Sequence, residues 1–200
     1  MNNLPTHMGK LEVVCGSMFS GKSEELIRRL KRAKIARKSV IVFKHSFDNR
    51  TFIEFVASHD GNKIAAISIE NPLEIFEHLT PDIEVVGIDE VQFFSHDIIS
   101  VVMRLIEAKK HVIVAGLNLD FRSLPFGAMP TLMAIADDVT KLTAICVECG
   151  LDAYFTQRIV NGNPAKYDDP TIQVGAQEQY QARCRGCFVI DKKPVWQNLQ

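Results

Sequence analysis

GSMFSGKS, residues 16–23, lies between the apolar run LEVVC (11–15) and the charged stretch EELIRRLKRAKIARK (24–38). It fits the pattern G-x-x-x-x-G-K-[ST] in full. A strand running into such a loop, and a helix starting at its lysine, make a phosphate cradle. Backbone N–H groups wrap the phosphate, which needs glycine where a side chain would collide. The positive end of the helix faces the negative charge. In this reading Gly16, Ser17, Met18, Phe19, Ser20 and Gly21 hold a nucleoside triphosphate. Lys22 reaches its terminal phosphates and Ser23 offers a hydroxyl to Mg²⁺. The motif does not choose between a kinase, an ATPase and a translocase.

The same logic extends to VVGIDEVQFF (85–94), where an apolar run ends in two acids. In open parallel sheets ligands sit at the carboxyl ends of strands. Asp89 is assigned to Mg²⁺, directly or through water. Glu90 is a candidate base, for a water in an ATPase or for a substrate hydroxyl in a kinase. A solvated loop pair is the plainer alternative.

Between and beyond these motifs, apolar strands alternate with helical stretches. A helix is expected over 22–38, then strands at 39–45 and 63–69 around a long polar loop, 46–62. A short helix starts at Asn71-Pro72. Strands follow at 84–90 and 111–116, flanking a helix at 95–109. A loop, 117–127, leads to a short helix and a strand near 139–145. Strands that are apolar throughout belong in a parallel sheet covered on both faces. The fold class is α/β, of the P-loop NTPase (RecA-like) type. Helical periodicity stops near residue 145. The expected domains are therefore 1–145, nucleotide-binding, and 146–200, a small β domain.

Four of the five cysteines fall into Cys146-Val-Glu-Cys149 and Cys184-Arg-Gly-Cys187, 34 residues apart. Two such knuckles direct four thiolates at one tetrahedral Zn²⁺. With all positions filled, the zinc is structural, holding together a β unit too small for its own core. Redox disulfides are the alternative. Cys15 reads as a small buried residue at a strand end. The six histidines show no H-x-x-x-H pairing, and none is assigned to metal.

The chain has 200 residues, a net charge of −1, 46% hydrophobic and 24% charged residues. That balance suits a globular protein with a full core. It gives no overall electrostatic footprint for nucleic acid, and RRLKRAKIARK (28–38) reads as a solvated helix face. No run approaches a membrane span, and MNNLPTHMGK has no apolar signal segment. A cytoplasmic location follows, with reduced cysteines.

Other positions stay open on spacing alone. Phe121 either stacks on a base or packs inward. Of Phe93 and Phe94, one is expected in the core. Asp48 and Arg50 lie in the polar loop, and Arg50 either meets phosphate or is solvated. The stretch 168–184, with Gly175 and Tyr180, either folds over a ligand or forms an ordinary hairpin.

Taken together, GSMFSGKSEEL, DEVQFF, GLNLDFRSLPFG, YFTQR (154–158) and VGAQEQYQARCRGC, in order and with four cysteines, resemble the thymidine kinase family shared by bacteria, poxviruses and the animal cytosol. The resemblance runs from Lys10 to about Phe188. It implies ATP as donor and thymidine or deoxyuridine as acceptor, giving dTMP in deoxynucleotide salvage. It implies Glu90 as the base, with Lys22 and Arg50 at the phosphates. Val91 and Gln92 join Asp89 and Glu90 in the nucleotide-binding set. Phe121 becomes the base-stacking aromatic, and Met18, Thr156 and Phe93 line the pyrimidine pocket. A lasso over about 168–180 covers the base, with Val174, Gly175 and Tyr180 in contact. The family also implies a homotetramer inhibited by dTTP. This chain has Gly175-Ala176 where many relatives have two glycines, and Cys187 where some bacterial relatives have histidine as the last metal ligand. A nucleic-acid-dependent ATPase with a zinc ribbon and a silent nucleotide-binding regulator are the rival readings.

Overall fold

A computed structural model describes residues 9–46, 55–57, 63–171 and 178–192. Asp48, Arg50, Val174, Gly175 and Ala176 lie outside the described residues.

The chain begins with β1 (Lys10–Gly16), the loop and α1 (Lys22–Ile35). Then come β2 (Val40–His45), β3 (Phe55–Ala57), β4 (Lys63–Ala65) and β5 (Ile67–Ile69). A 3-10 turn (Pro72–Glu77) leads to β6 (Val85–Asp89), and a second (Val91–Phe93) to α2 (Asp97–Glu107). β7 (His111–Gly116), α3 (Met129–Ile135) and β8 (Asp138–Leu142) complete the first part.

Six strands form one parallel sheet in the order β5-β2-β6-β7-β1-β8. Successive side chains of a strand point to opposite faces, and both faces here are covered. Val14, Ile113 and Ala115 pack with Leu26, Ile27 and Leu30 of α1. Val13, Val112 and Val114 pack on the other face with Ile98, Val101, Val102 and Leu105 of α2 and Leu132 of α3. This is why β6 and most of β1 and β7 are apolar without alternation. The expected α/β class is what the structure has.

Three sequence boundaries change. The single strand expected over 63–69 is two: β4 pairs antiparallel with β3, while β5 joins the main sheet beside β2. Ile64 faces the α1 side with Val56, whereas Ile69 belongs to the opposite cluster. One strand-like stretch, KIAAISI, thus serves two sheets. The loop expected over 46–62 contains β3, whose partner is supplied by the next segment. The strand expected near 139–145 also divides. β8 ends at Leu142, and β9 (Ala144–Ile145) pairs instead with β10 (Asp152–Ala153).

Beyond β10, β11 (Phe155–Val160) pairs antiparallel with β12 (Asn163–Pro164) and with β13 (Glu178–Arg183). Among the described residues, the cluster around the cysteines consists of Ala144, Cys146, Ala153, Ala182 and Cys184, with Cys187 against it. Side chains this small bury little area, and a metal tie between them would add the stability they lack.

Candidate active site

β1 delivers the glycine loop to the carboxyl edge of the sheet. Gly21 precedes α1 at φ 81°, the left-handed region where a Cβ is penalised. It caps α1 without a side-chain oxygen. The first N–H groups of a helix lack intrahelical partners, so this end suits an anion. Ser20 Oγ donates to the Ser17 carbonyl at 2.8 Å, and Lys22 Nζ donates to the same oxygen at 2.8 Å. Burial pulls the Lys22 pKa down, against the pull of Glu90 and Asp89 upward. Phe19 stands out at the tip, 48% exposed and at φ 66°.

Asp89 ends β6, separated from β1 by β7. Even so, Ser23 Oγ donates to Asp89 Oδ2 at 3.1 Å. Asp89 Oδ1 accepts from the backbone N–H of Glu90 at 2.9 Å. Burial and the neighbouring Glu90 charge push the Asp89 carboxyl up to about 7. A buried acid raised in this way, beside a hydroxyl, is an oxygen-only donor pair of the kind Mg²⁺ takes. A bound cation would reverse the shift.

Glu90 itself has φ 53° and ψ 38°. For a non-glycine residue this costs on the order of 1–3 kcal/mol and is typical of positions held for function. Gln92, 3% exposed, donates its amide to Glu90 Oε2 at 2.5 Å and accepts from Leu117 N at 3.0 Å. Val91 is fully buried in the core.

The aromatic pair separates. Phe94 is the core member, 3% exposed and edge-on to His45. Phe93 is half-buried and packs edge-on against Phe126 at 5.6 Å. Phe121 is 5% exposed, and the guanidinium groups of Arg158 and Arg122 lie 5.1 and 5.9 Å from its ring centre. Asp120, also buried, holds that loop: it accepts from Arg122 N and Leu124 N and pairs with the Arg122 side chain at 2.6 Å.

Met18 and Thr156 come together, Met18 N donating to Thr156 Oγ1 at 3.0 Å. Next to them Ser17 Oγ donates to the Ala153 carbonyl at 3.2 Å. Tyr180, half-buried on β13, pairs in register with Arg158 on β11. Arg158 is fully buried, and its Nη1 donates to the Pro170 carbonyl at 2.5 Å. Sequence reasoning gave Arg158 no role. A charged residue in a short β segment reads as solvent-facing, and only the register shows it inside.

The four thiol sulfurs of Cys146, Cys149, Cys184 and Cys187 lie within 4.8 Å of one another. A tetrahedral ion with Zn–S near 2.3 Å places its sulfurs about 3.8 Å apart. Cys149 and Cys184 are at 3.5 Å. Both knuckles turn on backbone bonds, Gly150 N to the Cys146 carbonyl and Phe188 N to the Cys184 carbonyl. The set fits a structural zinc site. All five cysteines are free thiols here, and four sulfurs gathered at one point suit a single ion. Among the described residues, no helix is long and apolar enough to cross a membrane. On α1, Arg28 pairs with Glu25, and Arg29 pairs with Glu12, Glu25 and Asp138.

The parallel sheet, the glycine loop and the strand-end acid define a P-loop α/β protein. The family model for thymidine kinase matches residues 9–188. The chain belongs to the thymidine kinase family, and its activity is that of a phosphate-transferring kinase.

Proposed function

We propose that the protein transfers the γ-phosphate of ATP to the 5′-hydroxyl of thymidine, and also of deoxyuridine. The observation that carries this reading is the Glu90 carboxylate, one residue beyond Asp89, which itself touches Ser23 of the glycine loop. A proton acceptor thus stands beside the place where phosphate is held.

The nucleoside 5′-oxygen bonds to the γ-phosphorus while its proton passes to Glu90. The bond to the β,γ-bridging oxygen breaks and ADP leaves. The loop N–H groups and Lys22 hold the phosphates throughout. Ser23 and Asp89 are the residues that would hold Mg²⁺, which neutralises phosphate charge when bound. Such transfer needs positioning and electrostatic support more than covalent help. Met18, Phe93, Phe121, Thr156 and Tyr180 form the pyrimidine side. Arg50, Val174 and Gly175 belong to the same reading on the resemblance alone. So do a homotetramer, inhibition by dTTP, a cytoplasmic location and a role in salvage.

The test is transfer of labelled γ-phosphate, with Mg²⁺, to thymidine, deoxyuridine, deoxycytidine and deoxyadenosine. Label is expected on the first two only. Label released solely as inorganic phosphate would make water the acceptor and overturn the assignment.

A further inference from the structure

Glu90 is held at two points. Its backbone N–H is fixed by Asp89 Oδ1 at 2.9 Å. Its side chain is fixed by Gln92, which lies two residues on and is nearly without solvent contact. The Gln92 amide uses both ends. Nε2 donates to Glu90 Oε2 at 2.5 Å, and Oε1 accepts from Leu117 N at 3.0 Å. A carboxylate only accepts and a backbone N–H only donates, so these partners define which end is oxygen.

Leu117 directly follows β7, the strand between the glycine-loop strand and the Asp89 strand. The approach is close. A Cβ at Gly116 would lie 2.5 Å from Gln92 Oε1 and 2.9 Å from Met129 Sδ. Glycine at the end of β7 is what admits the amide. The central sheet therefore sets the amide, and the amide sets the carboxylate.

We infer that Gln92 is a positioning residue for phosphate transfer, acting through Glu90 rather than on the nucleotide. The inference rests on Glu90 being the base. With Oε2 engaged by the amide, Oε1 receives the proton of the attacking hydroxyl. Unheld, the carboxylate samples other rotamers, and misplacement by about 1 Å can cost about a hundredfold.

The experiment is a double-mutant cycle on the full-length protein, with Gln92→Met, Glu90→Gln and the double variant, reading kcat and the KM of both substrates. Residues acting as one unit lose activity once, not twice. Gln92→Met is expected to lower kcat about 10–100-fold, with both KM values within about threefold of the parent. Added to Glu90→Gln it is expected to cost nothing further. Gln92→Leu, close in volume and with no donor, serves as the second variant if Gln92→Met does not fold, and the same loss is expected. Full kcat in either Gln92 variant, a selective rise in ATP KM, or an independent loss on top of Glu90→Gln would overturn the inference. Full turnover in Glu90→Gln alone would instead remove the base, and the inference with it.

Discussion

The backbone N–H of Met18 donates to the Thr156 hydroxyl at 3.0 Å, joining the phosphate loop to a strand 138 residues away. Ser17, the residue before, bonds the Ala153 carbonyl. Ala153 packs among the metal-set cysteines Cys146 and Cys184. The glycine loop is thus bonded directly to the segment that carries the proposed pyrimidine-side Thr156. That segment packs on the four-cysteine cluster.

Metal removal should therefore reach the nucleotide as well as the nucleoside. One zinc per chain is expected by elemental analysis. A strong chelator is expected to lower transfer and to raise the KM of ATP together with that of thymidine. A zinc-free protein with an unchanged ATP KM would break this link.

Thr156→Val removes the acceptor of the Met18 N–H and leaves that donor with no hydroxyl to meet. The expected loss in denaturant unfolding is about 1–2 kcal/mol. Thr156→Ser keeps the oxygen and should retain most of the stability. A loss in Thr156→Ser with none in Thr156→Val would mean that the methyl group, not the hydroxyl, matters.

The loop and both acids were legible in the sequence because their chemistry is local. A glycine spacing and an acid after an apolar run need no knowledge of partners. The cysteine knuckles were legible for the same reason. The splits at 63–69 and 139–145 were not, because β4 and β9 are defined by partners rather than by composition. Arg158 and the Gln92 amide were hidden likewise. A buried cation under Phe121 and an amide bonded across to Leu117 are facts of register and sheet order.

Arg158→Met is expected to weaken nucleoside binding more than ATP binding. Arg158 joins the Phe121 ring to the Pro170 carbonyl on the segment leading toward β13. A hydrogen bond from a charged group contributes about 1.5–3 kcal/mol, so the thymidine KM should rise at least about tenfold. Equal changes for both substrates would point to general loss of structure.

Glu12 gives an acid-stability prediction far from the site. His111, first, and then Lys10 and Arg29 hold its carboxyl well below the usual range, against the effect of burial. The depressed pKa means that the unfolded chain takes up a proton before the native one does. The stability contributed is thus full above the ordinary glutamate pKa of about 4.3 and declines as pH falls below it. Glu12→Gln should cost about 1–2 kcal/mol near neutrality, since Arg29 loses a partly buried partner at 2.6 Å. The gap from the parent should shrink as pH falls from about 5 to about 3. Parallel stability curves would contradict it.

The most direct measurement is the turnover of Glu90→Gln with thymidine, taken beside calorimetric binding of ATP and of thymidine. Binding of both should survive, while turnover should fall about 10²–10⁴-fold, the usual cost of losing a general base. Turnover equal to the parent's, with binding intact, would mean that the 5′-hydroxyl proton does not go to Glu90.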